Sequence, residues 1–212
     1  MAKRADNPGD QARKVLIIKL SALGDFVLAM GAMRKVREHH PSAQITLLTT
    51  PPFETFAKAC PYFDRVEIDG RPRDTSGTTR LLRRLRAEKY DIIYDFQTSS
   101  RSSNYFQALR PNPPLWSGIS SGCAFLHDNP ERNNMHSIER LTDQINTAGI
   151  GPEGGFPPED LPYANFDWIE PSLGNPPRLR PEYFSLKPPY ALLIPGSSAH
   201  RSARRRPPRR VT

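Results

Sequence analysis

Residues 19–25 read KLSALGD and directly follow the apolar run VLII. An acid that closes a short polar turn past an apolar strand can do three kinds of work. It can cap the following helix by accepting hydrogen bonds from free backbone N–H groups. It can belong to a loop that cradles phosphate. It can also present a carboxylate base, because ligands of open parallel sheets bind at the carboxyl ends of strands. The capping and catalytic readings of Asp25 are compatible in position but in tension over its basicity. A helix N-terminus favours the charged carboxylate and weakens it as a base, whereas apolar surroundings strengthen it. A catalytic Asp25 needs the apolar setting, or an acceptor hydroxyl already acidified by its surroundings.

Two other stretches carry polar groups at strand ends. DFQTSSRSSN (95–104) offers Asp95, Gln97, Arg101 and Asn104 to a polyhydroxylated or anionic ligand. Its plain alternative is a solvated loop with a helix cap at Ser102 or Ser103. IPGSSAHR (194–201) places Gly196, Ser197 and Ser198 after a strand, where small residues with free N–H groups suit a diphosphate. No GxGxxG follows the first strand and no GxxxxGK[ST] occurs, so neither the dinucleotide fingerprint nor the P-loop is supported. His136 reads as a capping or surface residue. No His/Asp/Glu cluster has metal-ligand spacing, so no metal site is expected.

These groups need elements to position them. Val15–Leu20, Gln44–Thr49, Arg65–Ile68 and Asp91–Phe96 read as strands, and a further strand is expected around Trp116–Ile119. Between them, residues 26–39 carry Phe26, Ala29, Met30, Met33 and Val36 at helical spacing. Pro51–Ala59 suggests a short helix. Thr78–Lys89 is a basic amphipathic helix with Leu81, Leu82 and Leu85 inward, and Ser137–Ala148 is another helix. Strands that alternate with helices imply an α/β fold, a Rossmann-like parallel sheet flanked by helices. Residues 1–13 are polar and expected to be loose, and residues 14–150 form the sheet domain. Residues 151–189 are rich in Pro and Gly and read as a linker. Tyr190–Ile194 starts a new buried strand, so residues 190–212 read as the stub of a second α/β domain.

The composition limits the partners. The formal charge is +8, but six Arg fall in the last twelve residues, RSARRRPPRRVT, leaving 24 basic against 22 acidic residues in the body. A nucleic-acid partner is not expected of a body this close to neutral. The two cysteines, Cys60 and Cys123, are far apart and outside any CxxC spacing. A reducing cytoplasm fits them better than a disulfide framework. The longest largely apolar stretch, Phe26–Met33, falls well short of the roughly 20 residues of a membrane span.

Taken in order, VLIIKLSALGDFVLAMGAMRKVREHHP, YDIIYDFQTSSRSS, WSGIS, MHSIERLTDQINTAGI and ALLIPGSSAHR resemble glycosyltransferase family 9, the bacterial heptosyltransferases of lipopolysaccharide core assembly. The resemblance runs from about residue 14 to 201 and implies the N-terminal half of a GT-B fold. That half would bind a lipid-linked acceptor sugar at the cytoplasmic face of the inner membrane. The C-terminal half would bind a nucleotide-sugar donor, commonly ADP-heptose, a substrate and not a cofactor. The resemblance implies a metal-free inverting transfer, with Asp25 as the general base and Ser21 and Gly24 shaping its loop. With the strand-end stretch, it makes Ser21, Gly24, Gln97 and Arg101 candidates for acceptor binding. Gly196, Ser197 and Ser198 match donor-phosphate positions. After AHR the family continues with a Lys and an aromatic-Pro pair, whereas this chain reads SARRRPPRRVT. The expectation is a truncated or frameshifted second half with little transfer activity. The alternative is a non-catalytic saccharide- or protein-binding domain. A βα pattern resuming in another frame of the coding DNA past codon 201 is the expected mark of a frameshift, and its absence from both other frames would end that idea.

Overall fold

The computed structural model describes residues 7–70 and 74–169, with Ser185 and Lys187. The chain divides into a unit over residues 1–172 and another over 173–212. The sheet and its helices belong to the first unit. The strand expected at Tyr190–Ile194, the candidates Gly196, Ser197 and Ser198, and the basic tail lie outside the described residues.

An uninterrupted apolar strand must be covered on both faces. β1 (Lys14–Ile18) meets that demand, with Val15, Leu16, Ile17 and Ile18 all sealed from solvent. It sits between β2 (Gln44–Thr49) and β4 (Ile92–Asp95), so that Val15 lies opposite Ile45 on one side and Ile92 on the other. β3 (Arg65–Ile68), β5 (Leu115–Gly118) and β6 (Phe125–Leu126) complete a parallel sheet in the order β3-β2-β1-β4-β5-β6. β6 has only two residues, too few to show a period, and nothing in the sequence marks it as a strand.

Alternation along the strands feeds two cores. Val15 and Ile17 point to one face, where α1 (Leu23–His39) lays down Phe26, Met30 and Met33, and α5 (Ser137–Thr147) adds Leu141 and Ile145. α2 (Glu54–Ala59) joins the same side through Ala57. Leu16 and Ile18 point to the other face. There α3 (Thr75–Glu88) contributes Leu81 and Leu85, and α4 (Ser100–Ala108) contributes Tyr105 and Phe106. α1 starts three residues before the expected 26, because Leu23 points to solvent and Gly24 and Asp25 are not apolar, so the inward period begins at Phe26. α3 likewise starts at Thr75, where the Asp74 carboxylate accepts the Gly77 N–H at 2.9 Å.

Both flanks of the sheet domain are tied down. In the N-terminal stretch, expected to be loose, the Asn7 side chain donates to Ala148 O at 2.7 Å and Asp10 meets His39 at 2.9 Å. The segment from 151, read as the start of a linker, packs on the α1 side as far as Ile169. Phe156, Ala164 and Trp168 cover that core, and the Trp168 and Phe56 rings lie 5.3 Å apart. Gly31 of α1 makes room for it. A Cβ there would fall 1.5 Å from Pro162 O, so no larger residue fits without displacing the segment.

Candidate functional site

In the strand order 3-2-1-4-5-6, the chain leaves β1 for one face of the sheet and β4 for the other. The carboxyl ends of these neighbours therefore open a crevice. A pocket of about 130 Å³ lies there, its walls including Lys19, Ser21, Asp25, Gln97, Ser137 and Arg140. It joins the loops after β1 and β4 to the N-terminal turns of α1 and α5.

The β1 and β4 loops are clamped together. Gln97 Oε1 accepts the Leu20 N–H at 2.8 Å and the Ser21 N–H at 3.2 Å. The Lys19 ammonium donates to Phe96 O at 3.1 Å. The Asp95 carboxylate, fully enclosed, accepts the Gln97 and Thr98 N–H groups at 3.1 and 2.9 Å. Thr98 adopts φ 42°, and its hydroxyl receives a 2.7 Å bond from Arg132. On the α5 side the Arg140 guanidinium donates to the Ser137 hydroxyl at 3.3 Å. His136 caps α5 by accepting the Ile138 N–H at 3.4 Å, in keeping with its capping reading.

Asp25 stands in the first turn of α1 and accepts the Ala22 N–H at 3.2 Å. It is exposed, not set among apolar groups. One carboxylate oxygen closes the helix start, and the side chain forms part of the pocket wall.

Two sequence candidates take other roles. Gly24 lies inside the first turn of α1 and not in a loop, and a Cβ there would meet nothing within 4 Å. Arg101 is not in the pocket wall. It makes a two-pronged pair with Asp69, 3.1 and 2.9 Å, just past β3, and the Tyr105 hydroxyl donates to the same carboxylate at 2.6 Å. Asp69 is completely buried, and a buried carboxylate has to be paired. The cap of α4 is Ser99, not Ser102 or Ser103, with its Oγ accepting the Ser102 N–H.

Sequence patterns do not single out Lys19, Ser137 and Arg140 as site residues. Lys19 looks like the last residue of a buried strand and Arg140 like an ordinary helix cation. Only the packing of α5 beside α1 and over the ends of β4 and β5 brings them together. Lys19 is 7% exposed. Burial lowers its pKa to about 8, against the pull of Asp25, with Arg140 lowering it further and Asp95 raising it. Burial pushes Asp95 up to about 6, opposed chiefly by the hydrogen bonds from Thr98, Ser102 and Gln97.

An open parallel sheet of this order, with a polar pocket at its β1/β4 crevice, defines a Rossmann-like α/β unit. Solved chains of glycosyltransferase family 9 share this fold. A family 9 glycosyl transferase from Veillonella parvula matches with a TM-score of 0.55 and 19% identity, over 68% of this chain and 43% of its own. The E. coli heptosyltransferase WaaC, solved with ADP-2-deoxy-2-fluoro heptose, matches with a TM-score of 0.56 and 17% identity, over 78% of this chain and 55% of its own. E. coli ADP-heptose LPS heptosyltransferase II matches with a TM-score of 0.55 and 17% identity, over 82% and 51%. A candidate glycosyltransferase of Haemophilus influenzae is 28% identical over 89 residues, 42% of this chain and 26% of that protein. No family profile matches the chain. The chain thus spans about half the length of these solved structures and about a quarter of the Haemophilus protein.

Two outcomes follow from the geometry. Arg101→Ala is expected to cost about 3 kcal/mol in urea unfolding, because it strips a buried carboxylate of its cation. An unchanged midpoint would mean that Arg101 is free to serve a ligand. For Lys19, the amine is charged in both folded and unfolded chains below about pH 8, and the cost of burying it is fully present. From about 8 to 10.5 the unfolded chain keeps a proton that the folded chain has released, so stability rises with pH by about 3 kcal/mol at most. The stability of the parent relative to Lys19→Met should therefore rise across that window, and a constant difference would contradict the burial of the charged amine.

Proposed function

We propose that the described unit is the acceptor half of an inverting glycosyltransferase that acts on a lipid-linked saccharide with a nucleotide-sugar donor. The carrying observation is the pocket at the β1/β4 crevice, where Asp25 lines one wall together with the Lys19 and Arg140 cations. In this reading the acceptor hydroxyl lies against Asp25. Its oxygen forms the new bond to the anomeric carbon as the bond from that carbon to the nucleotide diphosphate breaks. The diphosphate leaves with the electron pair, and the hydroxyl proton passes to the Asp25 carboxylate. Attack from the face opposite the leaving group inverts the centre.

Asp25 is exposed and accepts a backbone N–H, so it serves as a base only for a hydroxyl that the forming bond to carbon has already acidified. The hydroxyl becomes acidic only as its oxygen bonds to carbon, so the base is needed late. Gln97 acts through the backbone, holding the loop that carries Ser21 against the β4 end. The fold and the similarity to the two E. coli heptosyltransferases support heptose as the sugar, ADP-heptose as the donor and the lipopolysaccharide inner core as the acceptor. A reaction at the cytoplasmic side of the inner membrane goes with that acceptor, and no described helix is long and apolar enough to cross a membrane.

The test is a titration of the 212-residue chain with a deacylated inner-core oligosaccharide, followed by amide chemical shifts. Shifts should centre on Ser21, Asp25 and Arg140, and Arg140→Gln should weaken binding about tenfold, the worth of one charge-assisted hydrogen bond. Asp25→Asn should leave affinity within a few-fold, since it keeps the shape. Turnover that survives Asp25→Asn would remove Asp25 as the base, and shifts confined to another face would remove the pocket as the acceptor site. Binding of a protein in place of any saccharide would favour the non-catalytic alternative.

A further inference from the structure

The turn after β4 is held in a conformation that its own side chain resists. Thr98 sits at φ 42°, and of the described non-glycine residues with positive φ it alone is β-branched. A branched Cβ crowds the backbone there, so such a residue persists only where its surroundings fix it. Two sets of contacts do so. Asp95 Oδ1 accepts the Gln97 and Thr98 N–H groups at 3.1 and 2.9 Å. From outside the turn, Arg132 Nη2 donates to the Thr98 hydroxyl at 2.7 Å.

Arg132 is itself firmly mounted. It lies in the short 3-10 turn Pro130–Asn133, whose entry is tied to α5. Asn129 donates to Asp143 Oδ2 at 2.7 Å and accepts the Glu131 N–H at 2.9 Å, and His127 Nε2 lies 2.9 Å from the same carboxylate oxygen. The guanidinium is half-buried, and its Nε is sealed from solvent without an acceptor. Burial and then Arg140 disfavour its charge, and Asp95 favours it. Such a placement costs stability, and the bond to Thr98 is the contact it secures.

What the strained turn fixes is the aim of Gln97. With Thr98 left-handed and both N–H groups on Asp95, Gln97 Oε1 reaches the Leu20 and Ser21 N–H groups at 2.8 and 3.2 Å. The loop so gripped leads straight into Asp25, and Ser21, Asp25, Gln97 and Thr98 all line the pocket. A Thr98 that relaxed to negative φ would re-aim the chain on both sides of it, and Gln97 would lose its grip.

We propose that Arg132 is a positioning residue of this pocket: by holding the Thr98 hydroxyl it keeps the turn after β4 left-handed, and so keeps Gln97 on the β1 loop. The clamp stands on this geometry alone. Its consequence for a saccharide rests on the acceptor reading, so separate measurements read the two.

The experiment is amide hydrogen exchange on the full 212-residue chain. Arg132→Met should speed exchange at Leu20 and Ser21 about tenfold, the worth of one charge-assisted hydrogen bond, and leave Leu16–Ile18 unchanged. Thr98→Val keeps the branched Cβ without the hydroxyl and should behave like Arg132→Met. Thr98→Gly/Arg132→Met should return to parent rates, because glycine takes positive φ freely and needs no anchor. Equal acceleration at Leu16–Ile18 would show that Arg132 serves only global stability, and it overturns the proposal. So does an unchanged rate at Leu20 and Ser21, or a double variant no better protected than Arg132→Met. If Arg132→Met does not fold, Arg132→Lys takes its place, with a smaller but equally selective effect expected and the same results overturning the proposal. Titration with the deacylated inner-core oligosaccharide gives the second readout. Affinity should fall about fivefold in Arg132→Met, the cost of a loop no longer preorganised, and recover in the double variant. Affinity that ignores both changes overturns Arg132 as a positioning residue. If the exchange pattern holds and no saccharide binds any of these chains, the acceptor reading fails and the clamp stands.

Discussion

β1 and β4 run side by side and part company at their carboxyl ends, and the rest of the site depends on that. Because α1 leaves for one face and α4 for the other, no backbone fills the gap between them. Polar groups of both loops must satisfy one another across it. Gln97 does so by holding two N–H groups of the β1 loop, and Lys19 by reaching the last carbonyl of the β4 run. The seal of Val15, Ile17, Ile92 and Tyr94 under α1 and α5 keeps these loops at one height. The pocket is a consequence of strand order before it is a consequence of any single residue.

Charge is arranged at three depths around this sheet. At the crevice, Lys19 is buried near two acids and one guanidinium, an environment that costs stability and keeps a cation close to Asp25. Beyond β3, Asp69 is fully enclosed and is matched by Arg101 and Tyr105. On the outside of α3 the cations Arg80 and Arg83 are left to solvent. The first arrangement lines the crevice pocket, the second holds α4 to the sheet, and the third faces solvent. Net charge alone separates none of them.

Much of the fold is legible in the sequence because both periods are simple. A buried parallel strand reads as a continuous apolar run, and an amphipathic helix returns an apolar residue every three or four positions. Gln44–Thr49 and Arg65–Ile68 have the bounds that their residue types predict. Helix starts are less legible, because the first turns at Leu23 and Thr75 bury no apolar residue before Phe26 and Leu81 and carry no period. Of the site, Asp25, Ser21 and Gln97 stand out by their position after strands, and the pocket includes all three. Arg101 shares that position and yet serves Asp69, a residue 32 positions earlier. The only sequence hint is an acid at the end of a strand on the neighbouring side of the sheet.

The sequence by itself determined that a parallel α/β sheet forms and that an acid follows its first strand, because these depend on local runs of residue type. Tertiary structure alone decided which cations share a wall with that acid and which are spent on a buried partner. Lys19 and Arg140 stand 121 positions apart in the chain and line one pocket only because α5 packs beside α1 and over the ends of β4 and β5. Such a meeting is set by the order of strands and the packing of helices, and no local pattern records it.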